Sequence, residues 1–499
     1  MNANRKSDES VVPTTLANNG ATETPAESTE ERDSAKKNTE QAALLRTPSR
    51  EKCKSRGLHG VREAARKDST LKFTALLHHV NEDCLLEAFY NLKKTAAVGV
   101  DGVTWHEYEQ DVAARIADLH GRIHRGAYRA QPSRRAWIPK PDGRQRPLGI
   151  AALEDKIVQQ AVLWVLQSIY EQDFLGFSYG FRPGRNQHNA LDALSVAITG
   201  KRVNWILDAD IEGFFDTIDH DWLIRFLEHR IGDRRILRLI RKWLRAGVSE
   251  EGEWSKTTVG APQGSVISPL LSNVYLHYVF DLWIEWWRNH RCRGEVVVVR
   301  YADDFVIGFE NHSEATQCLE ELRTRFAKFG LKLHEGKTRL IEFGRYAIEH
   351  REGRGEDRPE TFDFLGFTHM CAKTRKHGWF TIHRQSMAKR IRATLQAIKE
   401  QLRKRMHRPM GETAQWLRSV VQGWLNYHAV PGNGNCISHF VSAVTRLWLQ
   451  VLRRRSQRGR SRWTWARMQH LARRHLPRPR ILHPYPSQRF HARFKAGAV

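Results

Sequence analysis

Two pairs of aspartates in apolar surroundings are the residues of this 499-residue chain best suited to chemistry. Asp208 and Asp210 follow the apolar run Trp205-Ile206-Leu207, and Asp303 and Asp304 come soon after four consecutive valines. Burying a carboxylate costs free energy unless a cation compensates it. Carboxylate oxygens suit Mg²⁺, and two Mg²⁺ ions about 3.5–4 Å apart activate an attacking hydroxyl and stabilise a leaving pyrophosphate. The two pairs therefore predict a two-metal site for nucleotidyl transfer, provided that their strands are neighbours.

The alternation of side chains along a strand decides which of these carboxylates can meet. Asp208 and Asp210 are two positions apart and share a face, whereas the adjacent Asp303 and Asp304 point apart unless a turn falls between them. We therefore expect Asp210 and Asp303 to hold the metal pair, with Asp304 as a looser third ligand. A turn-forming or helix-capping role is the alternative for each aspartate, and for Asp208 both interpretations stay open.

Periodicity predicts the elements around the aspartates. Residues 203–211 are typical of a buried strand, and residues 296–309 predict two short strands around a tight acidic turn. Apolar residues at helical spacing predict helices over 71–92 and 153–172. Strands and helices mixed in one block of about 300 residues indicate an α/β or α+β domain.

A second region, beyond about residue 386, has the pattern of a small helical bundle. Three amphipathic stripes predict three helices that bury one face each. The stripes consist of Ile391, Leu395, Ile398 and Leu402; of Trp416, Val420, Trp424 and Tyr427; and of Ile437, Val441, Val444, Trp448 and Val451.

The positive charge of the chain is concentrated in the same region. The whole sequence has 81 Lys and Arg against 55 Asp and Glu, a net charge of +26. Residues 371–499 hold 28 of the basic and 2 of the acidic residues, so the whole excess of 26 lies there. Aromatic side chains, among them Trp379, Trp463 and Tyr485, are interspersed with the cations. Phosphate contact combined with stacking is typical of nucleic-acid binding, and a solvated charged surface is the alternative.

The remaining composition narrows the class of protein. Residues 1–60 are rich in polar residues and are expected to form a disordered tail. The six cysteines are scattered without a CxxC pair, which argues against a disulfide framework or a zinc site and fits a cytoplasmic protein. No apolar stretch suits a transmembrane helix, and the N-terminus lacks the apolar core of a signal peptide, so no membrane association is expected.

Short sequence blocks carry a resemblance to a known family. Tyr301-Ala302-Asp303-Asp304 resembles the YADD box of reverse transcriptases. The other blocks, in the order that the family has them, are Gly99–Thr104, Ile138–Gly143, Arg146–Ile150, Ser178–Gly184, Asp210–Asp216, Gly260–Gly264, Ser268–Leu270, Gly330–Leu333, Lys337-Thr338 and Phe364–Phe367. Each block is weak by itself, but the ordered series is strong. Over about residues 70–499 the chain resembles bacterial group II intron-encoded reverse transcriptases/maturases.

The resemblance implies an α+β fold of the right-hand polymerase type. Fingers and palm are expected over residues 61–370, a three-helix thumb/maturase domain over 371–455, and a basic nucleic-acid-binding extension over 456–499. The implied protein is an RNA-directed DNA polymerase that binds its group II intron RNA, assists splicing and supports intron mobility. A DNA target or primer and deoxynucleoside triphosphates are the other expected partners, and a homodimer is left open.

The resemblance also implies a role for individual residues. Catalysis is assigned to Asp210, Asp303 and Asp304, and two Mg²⁺ ions are assigned to these residues together with Ile211. The implied nucleotide-binding residues are Lys140 and Arg146 at the triphosphate, Phe215 against a 2′-hydroxyl, Gln263 near the sugar, and Lys337. The implied primer-positioning residues are Tyr301, Leu365 and Gly366. The implied RNA-binding residues are Arg453, Arg454, Arg455, Arg458, Arg460, Trp463, Arg473 and Arg474.

One departure and three alternatives accompany the resemblance. Many relatives end in an HNH endonuclease with paired cysteines, but Cys436 is the only cysteine beyond residue 371, so second-strand nicking is not expected. The alternatives are a splicing cofactor with a vestigial polymerase, a host-adopted reverse transcriptase, and an RNA-dependent RNA polymerase. The last would be expected to have a small or hydrogen-bonding residue in place of Phe215.

Overall fold

The computed structural model describes residues 57–139, 145–250, 253–255, 259–260, 264–374, 376–457 and 459–490. It confirms a mixed α+β architecture in which three small sheets are covered by helices. The tail expected over residues 1–60 lies outside the described residues except for its last four positions, where the first helix already begins at His59. Within the described part, no helix is both long and apolar enough to cross a membrane.

Helices and strands are interspersed as far as β11, and only helices follow it in the described residues. The helices are α1 (His59–Lys67), α2 (Glu82–Asn91), α3 (Trp105–Gln110), α4 (Val112–His124), α5 (Leu153–Asp173), α6 (Gln187–Gly200), α7 (Phe214–Thr217), α8 (His220–Glu228), α9 (Arg234–Arg245), α10 (Ser268–Leu276), α11 (Leu282–His290), α12 (His312–Ala327), α13 (Ala347–Gly353), α14 (Ala388–Lys404), α15 (Met410–His428), α16 (Gly434–Arg454), α17 (Gly459–Arg462) and α18 (Trp465–His475). The strands are β1 (Ser133–Pro139), β2 (Gln145–Ile150), β3 (Trp205–Asp210), β4 (Val248–Glu250), β5 (Glu253–Ser255), β6 (Val296–Tyr301), β7 (Asp304–Phe309), β8 (Arg339–Glu342), β9 (Phe362–Phe364), β10 (Phe367–Lys373) and β11 (Phe380–Ser386).

The central sheet has the strand order β6-β7-β3-β8 and is antiparallel throughout. The four valines of β6 are all buried. Helices pack against the central sheet: α6 against β6, and α12 against β3 and β7. The strand predicted over 203–211, the paired strands over 296–309 and the helix over 153–172 are therefore confirmed to within about two residues, the usual spread of such boundaries.

Two smaller sheets flank the central one. The first has the order β2-β1-β4-β5, with β1 and β4 parallel, and the second has the order β11-β10-β9. The expected domain boundary at residue 371 falls inside β10, which pairs with β11 from Phe367 to Lys373. The sheet therefore continues to Ser386, and the helical bundle begins only at Ala388.

The helix predicted over 71–92 is wrong in its first half. The structure has an α-helix only after Asn81, whose side chain caps the first turn of α2. Upstream, the backbone amides of Leu76 and Leu77 donate to a carboxylate oxygen of Asp233 at 2.9 and 3.0 Å. These two amides bond to a distant carboxylate instead of to carbonyls of an α-helix. The apolar residues Leu76 and Leu77 are therefore buried by tertiary contacts rather than on the face of an α-helix.

The helical bundle has a hydrophobic core of its own. The three predicted helices form, as α14, α15 and α16, and they share this core with α18. Residues from each of these helices that are buried there include Ile398, Leu402, Leu417, Val421, Val444, Trp448, Met468 and Ala472. The contribution of α18 was not predicted, because its many arginines conceal the few apolar positions that face the core.

Candidate active site and nucleic-acid surfaces

The candidate catalytic residues lie at one end of the central sheet. Asp210, the last residue of β3, is paired directly with Asp304, the first residue of β7, and Asp304 is also paired with Tyr301 of β6. Because side chains alternate along a strand, Asp208 shares the face of Asp210. Asp304, which was expected to be the looser ligand, is therefore the carboxylate opposite Asp210. Asp303 lies next to it in the turn between β6 and β7.

This turn has an unusual backbone conformation. Ala302 has a φ of 57°, in the left-handed region that residues other than glycine rarely adopt. Gly180 is pressed against the same backbone: a Cβ atom placed on it would lie 2.3 Å from the amide nitrogen of Ala302. The backbone at Gly180 therefore packs directly against the backbone of the YADD turn, and a side chain at position 180 would displace the turn.

Arg300 supports the turn from inside the protein. Its guanidinium donates to the carbonyl of Ala302 at 3.0 Å, to Ser178 Oγ at 2.7 Å and to Asn273 Oδ1 at 3.0 Å. It also forms a two-point ion pair with Asp281, with N–O distances of 2.7 and 2.5 Å, and both side chains are fully buried. Sequence reasoning missed this pair, although a cation directly after four valines was a visible signal.

Two of the carboxylates on the shared face each form an ion pair. The ammonium of Lys337 contacts Asp210, and a guanidinium nitrogen of Arg339 lies 3.6 Å from Asp208. Burial raises the pKa of Asp208 to about 6, and Arg339 opposes that shift. Asp208 thus has a structural partner of its own, while Lys337, predicted to bind nucleotide, holds Asp210.

The carboxyl of Asp304 lies in negative surroundings. Although its side chain is exposed on one side, withdrawal from water raises its pKa to about 7, and repulsion by Asp303 and Asp210 adds to the rise. A divalent cation would relieve this repulsion, because an opposite charge favours the ionised carboxylate. The donors are the hard oxygens that Mg²⁺ prefers, so the residues fit that ion by chemistry. As they stand, no three acidic, histidine or cysteine side chains in the described residues are grouped closely enough to hold a metal.

The loop after β3 carries two further predicted residues, Ile211 and Phe215. Ile211 is buried. Gly213 has a φ of 56° and begins the short helix α7. Phe214 is buried and meets Phe215 edge-on, with 5.5 Å between the ring centroids, while Phe215 is only half-buried. Phe214 therefore anchors the helix, and the Phe215 ring keeps a partly accessible position just beyond Asp210.

The expected nucleotide-binding residues are only partly described. Lys140 and Gln263 lie outside the described residues, as does the side chain of Arg146. Gly264 is described, and a Cβ atom placed on it would lie 2.8 Å from the carbonyl oxygen of Gly149. Gly264 therefore lies directly against the backbone of β2 at Gly149.

The predicted primer-positioning turn joins β9 to β10. Both of its residues have positive φ, 46° at Leu365 and 82° at Gly366, as in tight two-residue hairpin turns. A guanidinium nitrogen of Arg390 in α14 lies 2.7 Å from the Cβ position of Gly366, and the hydroxyl of Tyr427 in α15 donates to the carbonyl of Leu365 at 2.7 Å. Two bundle helices thus hold the turn. Tyr301, the other residue of this group, is half-buried at the end of β6.

Most of the described residues predicted to bind RNA are exposed on and after α16. The exposed members are Arg453, Arg454, Arg455, Arg473 and Arg474. Trp463 is half-buried against the second core, and its carbonyl accepts a hydrogen bond from Arg453 at 2.9 Å, so it has a packing role. Arg458 and the side chain of Arg460 lie outside the described residues.

An exposed aromatic pair lies at the tip of the β10–β11 hairpin. Trp379 is 69% exposed, and its ring is stacked on His377 with 4.8 Å between centroids. The backbone of Trp379 is fixed by two hydrogen bonds with Thr374, at 2.7 and 3.0 Å. Lys373 and Lys376 are exposed beside it. The described part of the tip therefore presents an exposed stacked pair beside positive charge, which the sequence showed only as an aromatic among cations.

Known proteins are similar in sequence to the part of the chain that holds the candidate site. Residues 138–369 match the family described as reverse transcriptase (RNA-dependent DNA polymerase). The chain is 33% identical to protein YkfC of Escherichia coli over 337 residues, which is 59% of this chain and 88% of YkfC. It is 31% identical to the group II intron-encoded protein LtrA of Lactococcus lactis over 325 residues, 53% of this chain and 54% of LtrA. A 91 kDa protein in the cob intron of Schizosaccharomyces pombe is 38% identical over 209 residues, 41% of this chain and 25% of that protein.

The matched family region contains the strand ends that carry the candidate catalytic residues, and the β9–β10 turn. The chain spans most of YkfC and about half of the length of LtrA. The family of the chain follows from three findings together. These are the carboxylates on adjacent strand ends, the tight turns beside them and the sequence similarity. The chain belongs to the family of group II intron-encoded reverse transcriptases and maturases.

Proposed function

We propose that the protein is an RNA-directed DNA polymerase whose nucleotidyl transfer depends on two Mg²⁺ ions at Asp210, Asp303 and Asp304. The direct pairing of Asp210 with Asp304, beside the turn that contains Asp303, is the observation that supports this most strongly. The 3′-hydroxyl of a primer attacks the α-phosphorus of a deoxynucleoside triphosphate, a new P–O bond forms, and pyrophosphate leaves. When bound, the ions lower the pKa of the hydroxyl and neutralise the phosphate charge.

Lys337 acts as an exchangeable countercharge in this proposal. In the structure its ammonium neutralises Asp210, and its side chain is 54% exposed. A flexible, exposed ammonium that reaches Asp210 also reaches a triphosphate bound at the same strand ends. Binding of metal and nucleotide would free Lys337 from Asp210 and turn it towards phosphate, which agrees with its predicted nucleotide-binding role. Lys140 and Arg146 would supply further positive charge to the triphosphate.

Phe215 selects deoxynucleotides in this proposal. Its ring is half-buried just beyond Asp210 and is held from behind by Phe214. A ring that is anchored in this way cannot move aside readily, so a 2′-hydroxyl on the incoming sugar would collide with it. A ribonucleotide polymerase would need space or a hydrogen-bonding group at the same position.

The basic C-terminal quarter binds the group II intron RNA and assists its splicing in this proposal. Its exposed arginines on and after α16 suit the phosphates of a folded RNA, and the stacked pair at Trp379 suits an unpaired base. The same protein would then copy the RNA from a DNA 3′ end at the target, which supports intron mobility. The shared sequence with LtrA, which is named as a group II intron-encoded protein, is the reason for choosing this RNA.

Primer extension on an RNA template with a DNA primer and Mg²⁺ tests the polymerase. The double variant Asp303→Asn/Asp304→Asn keeps the side-chain volumes and should lower the rate by at least about 10²-fold, in the range that loss of one electrostatic stabiliser causes. Asp357→Asn, in the exposed loop before β9, is the control for loss of a negative charge. Binding of intron RNA and splicing assistance should survive in the double variant. If that variant extends the primer at the wild-type rate, the proposed function is wrong.

A further inference from the structure

The last described segment of the chain folds back across both cores. We call residues 481–490 the strap. The backbone amides of Leu482 and His483 both donate to the carbonyl of Ala429, at 2.9 and 3.2 Å, directly after the end of α15. At its other end Phe490 is 4% exposed and belongs to the main core. The strap therefore contacts the helical bundle at one end and the polymerase domain at the other.

Asp192 fastens the strap to the polymerase domain. Asp192 lies on α6, its side chain is almost fully buried, and it accepts hydrogen bonds from Arg384 of β11 at 3.0 Å and from Arg489 of the strap. A nitrogen of the Arg489 guanidinium is also 3.1 Å from His483 Nδ1, so the strap is closed on itself at this point. Loss of Arg489 would leave Asp192 paired with Arg384 alone, and one of the two buried carboxylate oxygens would lose its charged donor.

A pair of histidine rings makes a second contact. The ring of His483 lies against that of His188 of α6, tilted by 31° with 4.0 Å between the centroids. The ring of His188 in turn lies 5.2 Å from the ring of Tyr427. His483 Nε2 is 2.7 Å from the carbonyl oxygen of Asn426. Burial, and then the charges of His483 and Arg489, lower the pKa of His188 to about 2. The ring is therefore neutral near pH 7 and adds no positive charge beside the two arginines.

These contacts form a continuous path to the primer-positioning turn. The strap holds α15 at Asn426 and Ala429, on either side of Tyr427. The hydroxyl of Tyr427 donates to the carbonyl of Leu365 in the turn. The helix that carries Asp192 packs against β6, the strand that leads into the YADD turn. The strap thus contacts both α6, which packs against the strand before the YADD turn, and α15, which holds the Leu365–Gly366 turn.

We propose that the strap is a positioning element, which fixes the Leu365–Gly366 turn relative to the catalytic carboxylates and so holds the primer end in register. This inference rests on the proposed function, because it takes that turn to contact the primer. The segment was expected to bind nucleic acid, but the contacts of Arg489 and His483 are with protein. The strap therefore governs how firmly the primer is held, and the chemical step at saturating primer does not depend on it.

The test compares two arginines of the same segment in the full-length protein. Arg489→Gln removes the strap's ion pair, and Arg480→Gln removes an exposed arginine just before the strap, so both variants lose one positive charge. Primer–template KM, kcat for addition of one nucleotide and product length per binding event are measured for each. Arg489→Gln should raise KM at least about tenfold and shorten the products, since small misplacements of a reacting group are costly. Its kcat should stay within about twofold of wild type. The template is a short RNA unrelated to the intron, so that loss of an intron-RNA contact by Arg480→Gln is not measured, and that variant should change KM and product length little.

Arg489→Lys and Asp192→Asn complete the design. The lysine variant keeps the charge and should recover part of the lost KM, whereas Asp192→Asn should reproduce the defect from the other side of the pair. If Arg489→Gln does not fold, the same comparison is made with Arg489→Lys, for which a smaller rise in KM is expected.

Three results would overturn the proposal. Equal effects of Arg489→Gln and Arg480→Gln would assign the strap to charge contact with nucleic acid. An unchanged KM and product length in Arg489→Gln would show that the strap positions nothing. A fall in kcat without a change in KM would place its effect on the chemistry. Asp303→Asn in the same assay separates the two proposals: if it is inactive while Arg489→Gln behaves as wild type, only the strap fails.

Discussion

Replacing Arg300 by methionine is the most informative perturbation of the catalytic turn. The substitution keeps an unbranched side chain of similar length but removes the guanidinium that binds Asp281 and the carbonyl of Ala302. Asp281 is fully buried, and burial raises the pKa of its carboxyl while Arg300 lowers it. Without Arg300, a charged carboxylate would be left in the core, or it would take up a proton at a cost in free energy.

The magnitude follows from the burial of both partners. Removing one partner of a fully buried ion pair costs about 3–5 kcal/mol, out of a total stability of about 5–15 kcal/mol. At roughly 2–4 °C per kcal/mol for a domain of this size, the melting temperature should fall by about 6–20 °C. Arg300→Met should therefore fold at low temperature but with a clearly reduced stability, and it should extend primers slowly because the turn has lost its internal support.

A second variant separates stability from positioning. Arg300→Met/Asp281→Leu replaces both charges by apolar side chains, and such replacements of buried pairs are often neutral or stabilising. The double variant should therefore regain at least half of the lost stability, but not the activity, since the Ala302 carbonyl still lacks its donor. Urea denaturation gives the stability, and single-turnover primer extension gives the activity. A stability of Arg300→Met within about 0.5 kcal/mol of wild type, or full activity in the double variant, would refute this reasoning.

Three further predictions concern other parts of the molecule. Phe215→Ala should reduce the preference for deoxynucleotides over ribonucleotides by at least about tenfold, because space opens for the 2′-hydroxyl. Competition between the two nucleotides in primer extension measures this preference. An unchanged ratio of deoxynucleotide to ribonucleotide incorporation would contradict the role of the ring. Trp379→Ala should weaken RNA binding at least about fivefold, as expected for one lost base stack of about 1–3 kcal/mol. Trp286→Ala, at another exposed tryptophan stacked on a histidine in α11, should not weaken it. Equal effects of the two variants would argue against a specific surface at the hairpin tip. Burial, and then the charge of Arg384, lower the pKa of His369 to about 3. The folded state therefore binds fewer protons than the unfolded state below about pH 6.5, and stability is lost as the pH falls towards about 3. His369→Phe, which keeps the stacking on Phe362, should make the stability from denaturation curves less dependent on pH in that window, and an identical dependence would contradict the neutral, buried state of His369.

Local patterns predicted the elements that carry the site. A run of four valines followed by two aspartates identifies β6, the turn and β7, because buried strands are apolar and tight turns are polar. The register between β3 and β7 could not be predicted in the same way. Register depends on packing between distant segments, and it is this register that sets Asp304, rather than Asp303, opposite Asp210.

Contacts over long distances in the chain account for what the sequence did not reveal. The amide of Leu76 meets Asp233, 157 positions away, and this contact replaces the first half of a predicted helix. Arg489 meets Asp192 over 297 positions, so an arginine in an acid-free, strongly basic segment has a protein partner rather than RNA. Composition describes such a segment as a whole, and only the folded chain separates the half-buried Arg489 from the exposed arginines around it.

A structure of the complex with an RNA template, a DNA primer lacking the 3′-hydroxyl, a deoxynucleoside triphosphate and Mg²⁺ would test the central claim most directly. We expect Mg²⁺ at about 2.0–2.1 Å from oxygens of Asp210 and of the Asp303–Asp304 pair, with Lys337 released from Asp210. Metal bound elsewhere, or a nucleotide complex in which Lys337 still holds Asp210, would contradict it.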